Sequence, residues 1–210
     1  MTDSLAPLTT ARVLAVVRAP SAESALLAAD ALIAGGIVGL EITYSTPDAP
    51  AVIRELDARY GDRIYLGAGT VTTAEEAAKA ADAGARFLVS PGTRRELTGA
   101  MKDTGLLVLT GALTPSEVMA AIEYGTDVVK IFPASLGGPA FLKSLRGPFP
   151  DVALMPTGGV TPENLDDWFA AGAIAVGAGG DLVSGADLAA GRYDEVERKA
   201  RLFASAGGLA

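Results

Sequence analysis

Two ionisable side chains lie where strands would carry them. Lys130 sits in Asp127-Val-Val-Lys-Ile-Phe-Pro-Ala134, an apolar, β-branched run, whereas Lys79, Lys102, Lys143 and Lys199 fall in helical stretches. With a period of two, Val128, Lys130 and Phe132 share one face. Turned inward, that face holds an amine among apolar walls, which disfavour the ammonium and favour the neutral nucleophile a Schiff base needs. The plain alternative is an edge-strand lysine or one snorkelling outward. Glu41, in Val38-Gly-Leu-Glu-Ile-Thr-Tyr-Ser45, is the second. Glu41, Thr43 and Ser45 form the expected inward face, and Leu40, Ile42 and Tyr44 face the helices. A buried carboxylate near a lysine can shuttle protons. It can also be half of a structural ion pair with Lys130 or Arg18, and the pattern leaves both open. The third signal is glycine at strand ends: Gly67-Ala-Gly-Thr70, Thr157-Gly-Gly-Val160 and Gly177-Ala-Gly-Gly-Asp181. In the last two, such turns let backbone N–H groups approach a phosphate or another anion; alternatively they are tight strand–helix turns.

Composition narrows the chemistry. The 210 residues contain neither Cys nor His. This excludes thiolate nucleophiles, Cys-ligated metals, a Ser-His-Asp triad and any histidine acid–base catalyst. A site must be built from Lys, Arg, Asp, Glu, Tyr, Ser, Thr and backbone. The net charge of −8 gives no basic stripe for nucleic acid or an anionic membrane. No run reaches the roughly 18 apolar residues of a membrane span, and the start lacks a signal peptide's apolar stretch. The expectation is a soluble cytoplasmic protein.

The elements that must position these residues alternate throughout. Apolar runs at 13–18, 38–45, 64–71, 87–91, 106–112, 127–134, 152–160 and 174–180 read as strands. The stretches 21–34, 48–60, 73–83, 93–104, 114–124, 138–146, 161–171 and 192–205 read as helices. Ser21, Thr73, Thr114 and Thr161 are the expected N-caps, the last two followed by Pro. Gly35, Gly84, Gly105, Gly125 and Gly172 are expected in left-handed geometry past helix ends. A strand–helix unit with its loops takes roughly 25 residues, so 210 residues accommodate eight. Eight such units predict one domain over 1–210, a compact (β/α)₈ TIM barrel with a short N-terminal helix at 4–10. A doubly wound open sheet is the runner-up, but no G-x-G-x-x-G follows the first strand. In a barrel, Lys130 and Glu41 would lie near the strands' C-terminal ends, where such sites are built.

Six segments together resemble one family. They are Leu40-Glu-Ile-Thr43, Gly67-Ala-Gly-Thr-Val71, Ser90-Pro-Gly92, Lys130-Ile-Phe-Pro-Ala134, Pro156-Thr-Gly-Gly159 and Asn164 within Thr-Pro-Glu-Asn. In this order they resemble the class I aldolases of 2-keto-3-deoxy-6-phosphogluconate, 4-hydroxy-2-oxoglutarate and 2-keto-3-deoxy-6-phosphogalactonate, over nearly the whole chain. The resemblance implies a cofactor-free and metal-free retro-aldol cleavage on a homotrimeric barrel, in sugar-acid catabolism of the Entner–Doudoroff kind. Pyruvate is one product; glyceraldehyde 3-phosphate or glyoxylate is the other. It implies that Lys130 forms an imine with the C2 ketone and that Glu41 carries the protons. Thr43 joins the substrate-binding set, Thr70 holds the pyruvyl carboxylate, and Pro91 and Phe132 wall the imine. Gly158, Gly159, Gly179 and Gly180, beside Thr157, anchor the distal phosphate. No nucleic acid or membrane partner is implied.

The chain departs from the pattern in two places. The phosphogluconate enzymes usually carry Arg four residues after the glutamate, where Ser45 stands here. The phosphogalactonate enzymes instead carry Arg at the end of strand 1, which Arg18 matches, but Pro156-Thr-Gly-Gly159 is the phosphogluconate form. Both subgroups commonly place Ser at position 180, which is Gly here. The competing expectations are a silent anion-binding barrel and a phosphosugar isomerase or tryptophan-pathway type of barrel. Neither calls for a strand lysine.

Overall fold

The computed structural model describes residues 3–209. Eight strands appear: β1 (Val13–Val17), β2 (Gly39–Thr43), β3 (Tyr65–Gly69), β4 (Phe87–Ser90), β5 (Leu107–Ala112), β6 (Val128–Ile131), β7 (Leu154–Pro156) and β8 (Val176–Ala178). Every one lies inside an expected run. The helices are α1 (Ala6–Ala11), α2 (Ala22–Ala34), α3 (Ala49–Tyr60), α4 (Ala74–Asp82), α5 (Arg95–Asp103), α6 (Pro115–Glu123), α7 (Gly138–Leu145), α8 (Leu165–Ala170), α9 (Gly185–Ala189) and α10 (Tyr193–Ala206).

All seven strand pairings are parallel, in the order β7-β6-β5-β4-β3-β2-β1-β8. The ends of the sheet meet through a bridge between Thr157 and Gly177 and through Ile174 N–H, which donates to the Leu154 carbonyl at 3.0 Å. The result is a nearly closed (β/α)₈ barrel. A doubly wound sheet would reverse its strand order at a switch point, and no reversal occurs.

Residues alternate between two apolar layers. Leu40, Ile42, Leu88, Val108, Val129 and Ile131 belong to the layer under the helices. Leu14, Phe87, Val89, Leu109, Val128 and Met155 fill the lumen, together with Leu8 and Ala11 of α1. The N-terminal helix therefore contributes to the lumen's packing. The lumen is narrow, and strand glycines make room in it. A Cβ on Gly67 would lie 2.5 Å from the Phe87 ring. That is why Gly67 stands in an otherwise bulky strand.

The expected caps at Ser21, Thr73 and Thr114 accept from Ser24, Glu76 and Glu117 N–H respectively. Glu76 and Glu117 return the bond as capping boxes, and the backbone and hydroxyl donors at 113–114 hold the Glu117 carboxyl below the usual carboxylate range. Thr161 opens a 3₁₀ turn (Pro162–Asn164) that leads into α8, which is shorter than expected. Gly35 corrects an expectation: Gly36 takes the positive φ, +91°, and Gly35 does not. Its missing side chain serves packing instead, since a Cβ there would lie 2.4 Å from Cβ of Ala200 on α10. Helix α9 was not expected. Its five residues are too few to show a period, and burial of Leu188 and Asp187 secures it.

Candidate active site

The residues proposed for chemistry gather at one end of the barrel. Thr43 ends β2; Arg18, Thr70, Pro91, Phe132, Thr157 and Gly179 directly follow or close on the C-terminal ends of β1, β3, β4, β6, β7 and β8. This is the face on which barrel active sites are built.

Lys130 is 4% exposed and Glu41 is fully buried. Strands β2 and β6 stand four apart in the barrel order, so their inward side chains meet only across the lumen. Lys130 Nζ lies 3.4 Å from Glu41 Oε1. A tight N⁺–H···O⁻ bond is about 2.7–2.9 Å, so this pair is loose. Glu41 Oε2 is buried without a hydrogen-bond partner. A purely structural buried ion pair satisfies its remaining lone pairs, because leaving them unpaired is costly. Arg18, the other expected partner of Glu41, is exposed and pairs with no carboxylate among the described residues. Within the strands, Lys130 is the sole lysine among the described residues.

Glu41 is held in place by what β3 lacks. It is registered with Gly67, and its side chain leans along the strand direction over Gly69. A Cβ on Gly69 would lie 2.0 Å from Glu41 Oε1. The glycines at 67 and 69 thus make space for Phe87 and Glu41. Behind Glu41, the Tyr44 hydroxyl donates to the Glu76 carbonyl at 2.5 Å, tying β2 to α4. Burial, with Glu76 and Glu75 nearby, pushes that phenol up to about 12 and keeps it a donor.

The rest of the rim divides into engaged and open groups. Thr43 is fully buried; its hydroxyl donates to the Val17 carbonyl at 3.0 Å and lies 2.7 Å from Ser45 Oγ. It braces the wall between β1 and β2. Thr70 has φ +56°, uncommon for a β-branched residue and worth about 1–3 kcal/mol of strain. Phe132 presents its ring centroid 5.5 Å from Lys130 Nζ, within cation–π range. Thr157 is buried and its Oγ1 has no partner. Gly158 and Gly159 take φ +97° and +73°, conformations that only glycine adopts readily. Asn164 secures this turn: its Nδ2 donates to the Gly159 carbonyl at 2.8 Å, and its Oδ1 accepts from Thr161 N–H. Gly179 and Gly180 have open space where a side chain would stand.

Sequence reasoning missed the spacing roles of Gly67 and Gly69 and the purpose of Asn164. The signal for the glycines was present, since they interrupt strands on the inward period. Among the described residues, no three His, Cys, Asp or Glu side chains converge as a metal site, and no helix is long and apolar enough to cross a membrane.

A family model described as KDPG and KHG aldolase matches residues 5–199. The 2-dehydro-3-deoxy-phosphogluconate aldolase of Pseudomonas aeruginosa is 39% identical over 192 residues, 91% of this chain and 87% of the relative. The KHG/KDPG aldolase of Escherichia coli is 37% identical over 195 residues, 92% of this chain and 91% of the relative. A crystal structure of KDPG aldolase from Legionella pneumophila, with pyruvate captured as a covalent carbinolamine intermediate, superposes with a TM-score of 0.86 at 33% identity, covering 95% and 97% of the two chains.

Proposed function

The chain belongs to the KDPG and KHG aldolase family, and from that premise we propose that it cleaves 2-keto-3-deoxy-6-phospho-sugar acids and 4-hydroxy-2-oxoglutarate to pyruvate and an aldehyde through an imine on Lys130. The observation that carries this reading is the buried, loose Lys130–Glu41 pair at the barrel mouth. The carbinolamine in the Legionella pneumophila relative supports covalent capture of pyruvate within the family.

The neutral amine of Lys130 attacks the C2 ketone and forms a carbinolamine. Loss of water leaves an iminium, an electron sink at C2. The Glu41 carboxylate takes the proton of the C4 hydroxyl; the C3–C4 bond breaks, its electron pair passes to the iminium, and the aldehyde leaves. The remaining enamine takes a proton at C3 from the Glu41 carboxyl. Water then adds at C2 and releases pyruvate and the amine. One carboxyl therefore acts as base and then as acid. The loose ion pair suits this, because Oε1 and Oε2 must exchange partners during turnover. The Phe132 ring faces the cationic intermediates.

The distal anion is read as held by backbone amides at Gly158, Gly159, Gly179 and Gly180, with Thr157 and Arg18 beside them and Thr70 at the pyruvyl carboxylate. The unpaired Arg18 also favours a second reading, a phosphogalactonate preference. Assembly as a homotrimer is part of the proposal. Met119 and Ile122 of α6, together with Leu136, are exposed apolar side chains available to such an interface.

The test is borohydride trapping with pyruvate, followed by peptide mass spectrometry. A mass addition on the Lys130 peptide alone is expected. Labelling at Lys143, or none, overturns the assignment; none leaves the anion-binding barrel.

A further inference from the structure

Beyond Ser90, at the end of β4, the chain turns over the barrel mouth as the Pro91–Gly92 peptide. Gly111 on β5 lies beneath it. A Cβ on Gly111 would stand 2.1 Å from the Pro91 carbonyl oxygen and 2.8 Å from Gly92 N. The peptide thus occupies the lumen-side space that a side chain at 111 would fill. Gly111 is registered with Lys130, and both alternate with lumen residues, Leu109 and Val128. The Pro91–Gly92 peptide therefore covers the lumen side of β5 at the position registered with Lys130 on β6.

Pro91 and Gly92 are exposed, and apolar burial does not hold them there. Hydroxyls do. Ser90 Oγ donates to the Gly92 carbonyl at 2.8 Å. Thr93 Oγ1 lies 2.9 Å from both the Gly111 carbonyl and Thr110 Oγ1. Ser90 and Thr110 are fully buried, and they share the parity of Leu88 and Val108 in the apolar layer under the helices. Burying hydroxyls in such a layer is costly unless they are bonded. These bonds join the β4 loop to β5 at the residue beside Lys130.

We infer that Ser90, Thr93 and Thr110 are positioning residues for the aldol reaction: their hydroxyls clamp the Pro91–Gly92 peptide as a fixed wall beside the Lys130 amine. This rests on the proposed imine at Lys130. The wall limits the poses open to a 2-oxo acid at the amine, and a displacement of about 1 Å at such a site costs on the order of 10²-fold in rate.

The experiment compares Thr93→Val, Thr93→Ser, Ser90→Ala and Tyr60→Phe with the wild type. Tyr60→Phe is the structural control. It removes a hydrogen bond to Asp30 at the C-terminal end of α3, away from the mouth. Thr93→Val and Ser90→Ala should lower kcat/KM for cleavage by roughly 10–100-fold and raise the pyruvate concentration for half-maximal borohydride trapping. Thr93→Ser, which keeps the hydroxyl, should restore most of both. Tyr60→Phe should lower Tm and leave kcat/KM unchanged. Amide exchange at Gly92 and Thr93, read without substrate, should speed up in Thr93→Val and Ser90→Ala only. If both mouth variants keep wild-type kinetics and wild-type exchange, or lose Tm alone as the control does, the clamp is refuted. Absence of trapping in the wild type would instead overturn the imine assignment, and the exchange measurement would still decide whether the hydroxyls hold the peptide.

Discussion

Gly69→Ala tests whether the position of Glu41, and not merely its presence, carries catalysis. The new methyl would lie 2.0 Å from Glu41 Oε1, 2.5 Å from Cγ and 2.6 Å from Cδ. All three distances are far inside ordinary contact, about 3.5–4.0 Å. The φ of Gly69 is not in the left-handed region, so the backbone accepts alanine and the clash falls on the carboxylate. Glu41 is fully buried, so the carboxyl must swing by more than an ångström within a packed lumen. Overpacking of this kind costs about 1–3 kcal/mol of stability, which leaves a folded protein. Misplacing a proton-transfer group costs about 10²-fold, and losing it costs about 10²–10⁴-fold, or roughly 2.7–5.4 kcal/mol of barrier. We expect kcat in Gly69→Ala to fall into that range. The control is Gly67→Ala, whose methyl meets the Phe87 ring at 2.5 Å. It should lose stability and keep kcat within about fivefold, because its clash spares the carboxylate. Steady-state cleavage is read alongside thermal melts, and Glu41→Gln completes a double-mutant cycle. If Gly69 acts through Glu41, the double variant should be no slower than Glu41→Gln by more than a few-fold. Additive losses, or a Gly69→Ala kcat within fivefold of wild type, would refute the placement.

Three further outcomes are expected. Lys130→Arg should abolish turnover and pyruvate trapping, because a guanidinium stays protonated and forms no imine; residual turnover in that variant would move the nucleophile elsewhere. Gly180→Ser should raise the preference for phosphorylated over unphosphorylated 4-hydroxy-2-oxo acids, measured as a ratio of kcat/KM values. Open space surrounds position 180, and one added bond to a charged group is worth about 1.5–3 kcal/mol, or roughly 10–150-fold; an unchanged ratio would place the anion away from Gly180. Asp187, held by Lys199, Ser184 and Arg192, has its carboxyl depressed well below the ordinary 3.8. A depressed folded value stabilises fully above the ordinary range and is lost as pH falls from near 4 through the folded value. Asp187→Asn should therefore lower Tm most at neutral pH, with the gap narrowing below about pH 4; a pH-independent gap would contradict the linkage.

Much of the molecule was legible in local pattern. The strands needed only their apolar β-branched runs, and three helix starts needed only a hydroxyl followed three positions later by a bonded backbone amide. Lys130 stood out because a lone cation inside an apolar run is expensive to bury without a purpose. Glu41 stood out for the same reason, and the period of two correctly turned both toward the lumen. That information is local: it depends on neighbours within one strand or one turn. What bears on the choice between a proton shuttle and a structural pair is not local: β2 and β6 face each other across the barrel, the pair is 3.4 Å apart, and Glu41 Oε2 is left unpaired. Gly67, Gly69 and Gly111 were visible as interruptions of the inward period, but their roles were not, because a glycine's missing side chain has meaning only against the neighbour that fills its place. Phe87, Glu41 and the Pro91 carbonyl are those neighbours, and each arrives from another strand or loop. Helix α9 also lay beyond the pattern, since five residues carry no period and its anchor, Asp187, is secured by Lys199 twelve positions away on α10. Sequence periodicity specifies which face a residue takes; only closure of the barrel specifies what it meets there.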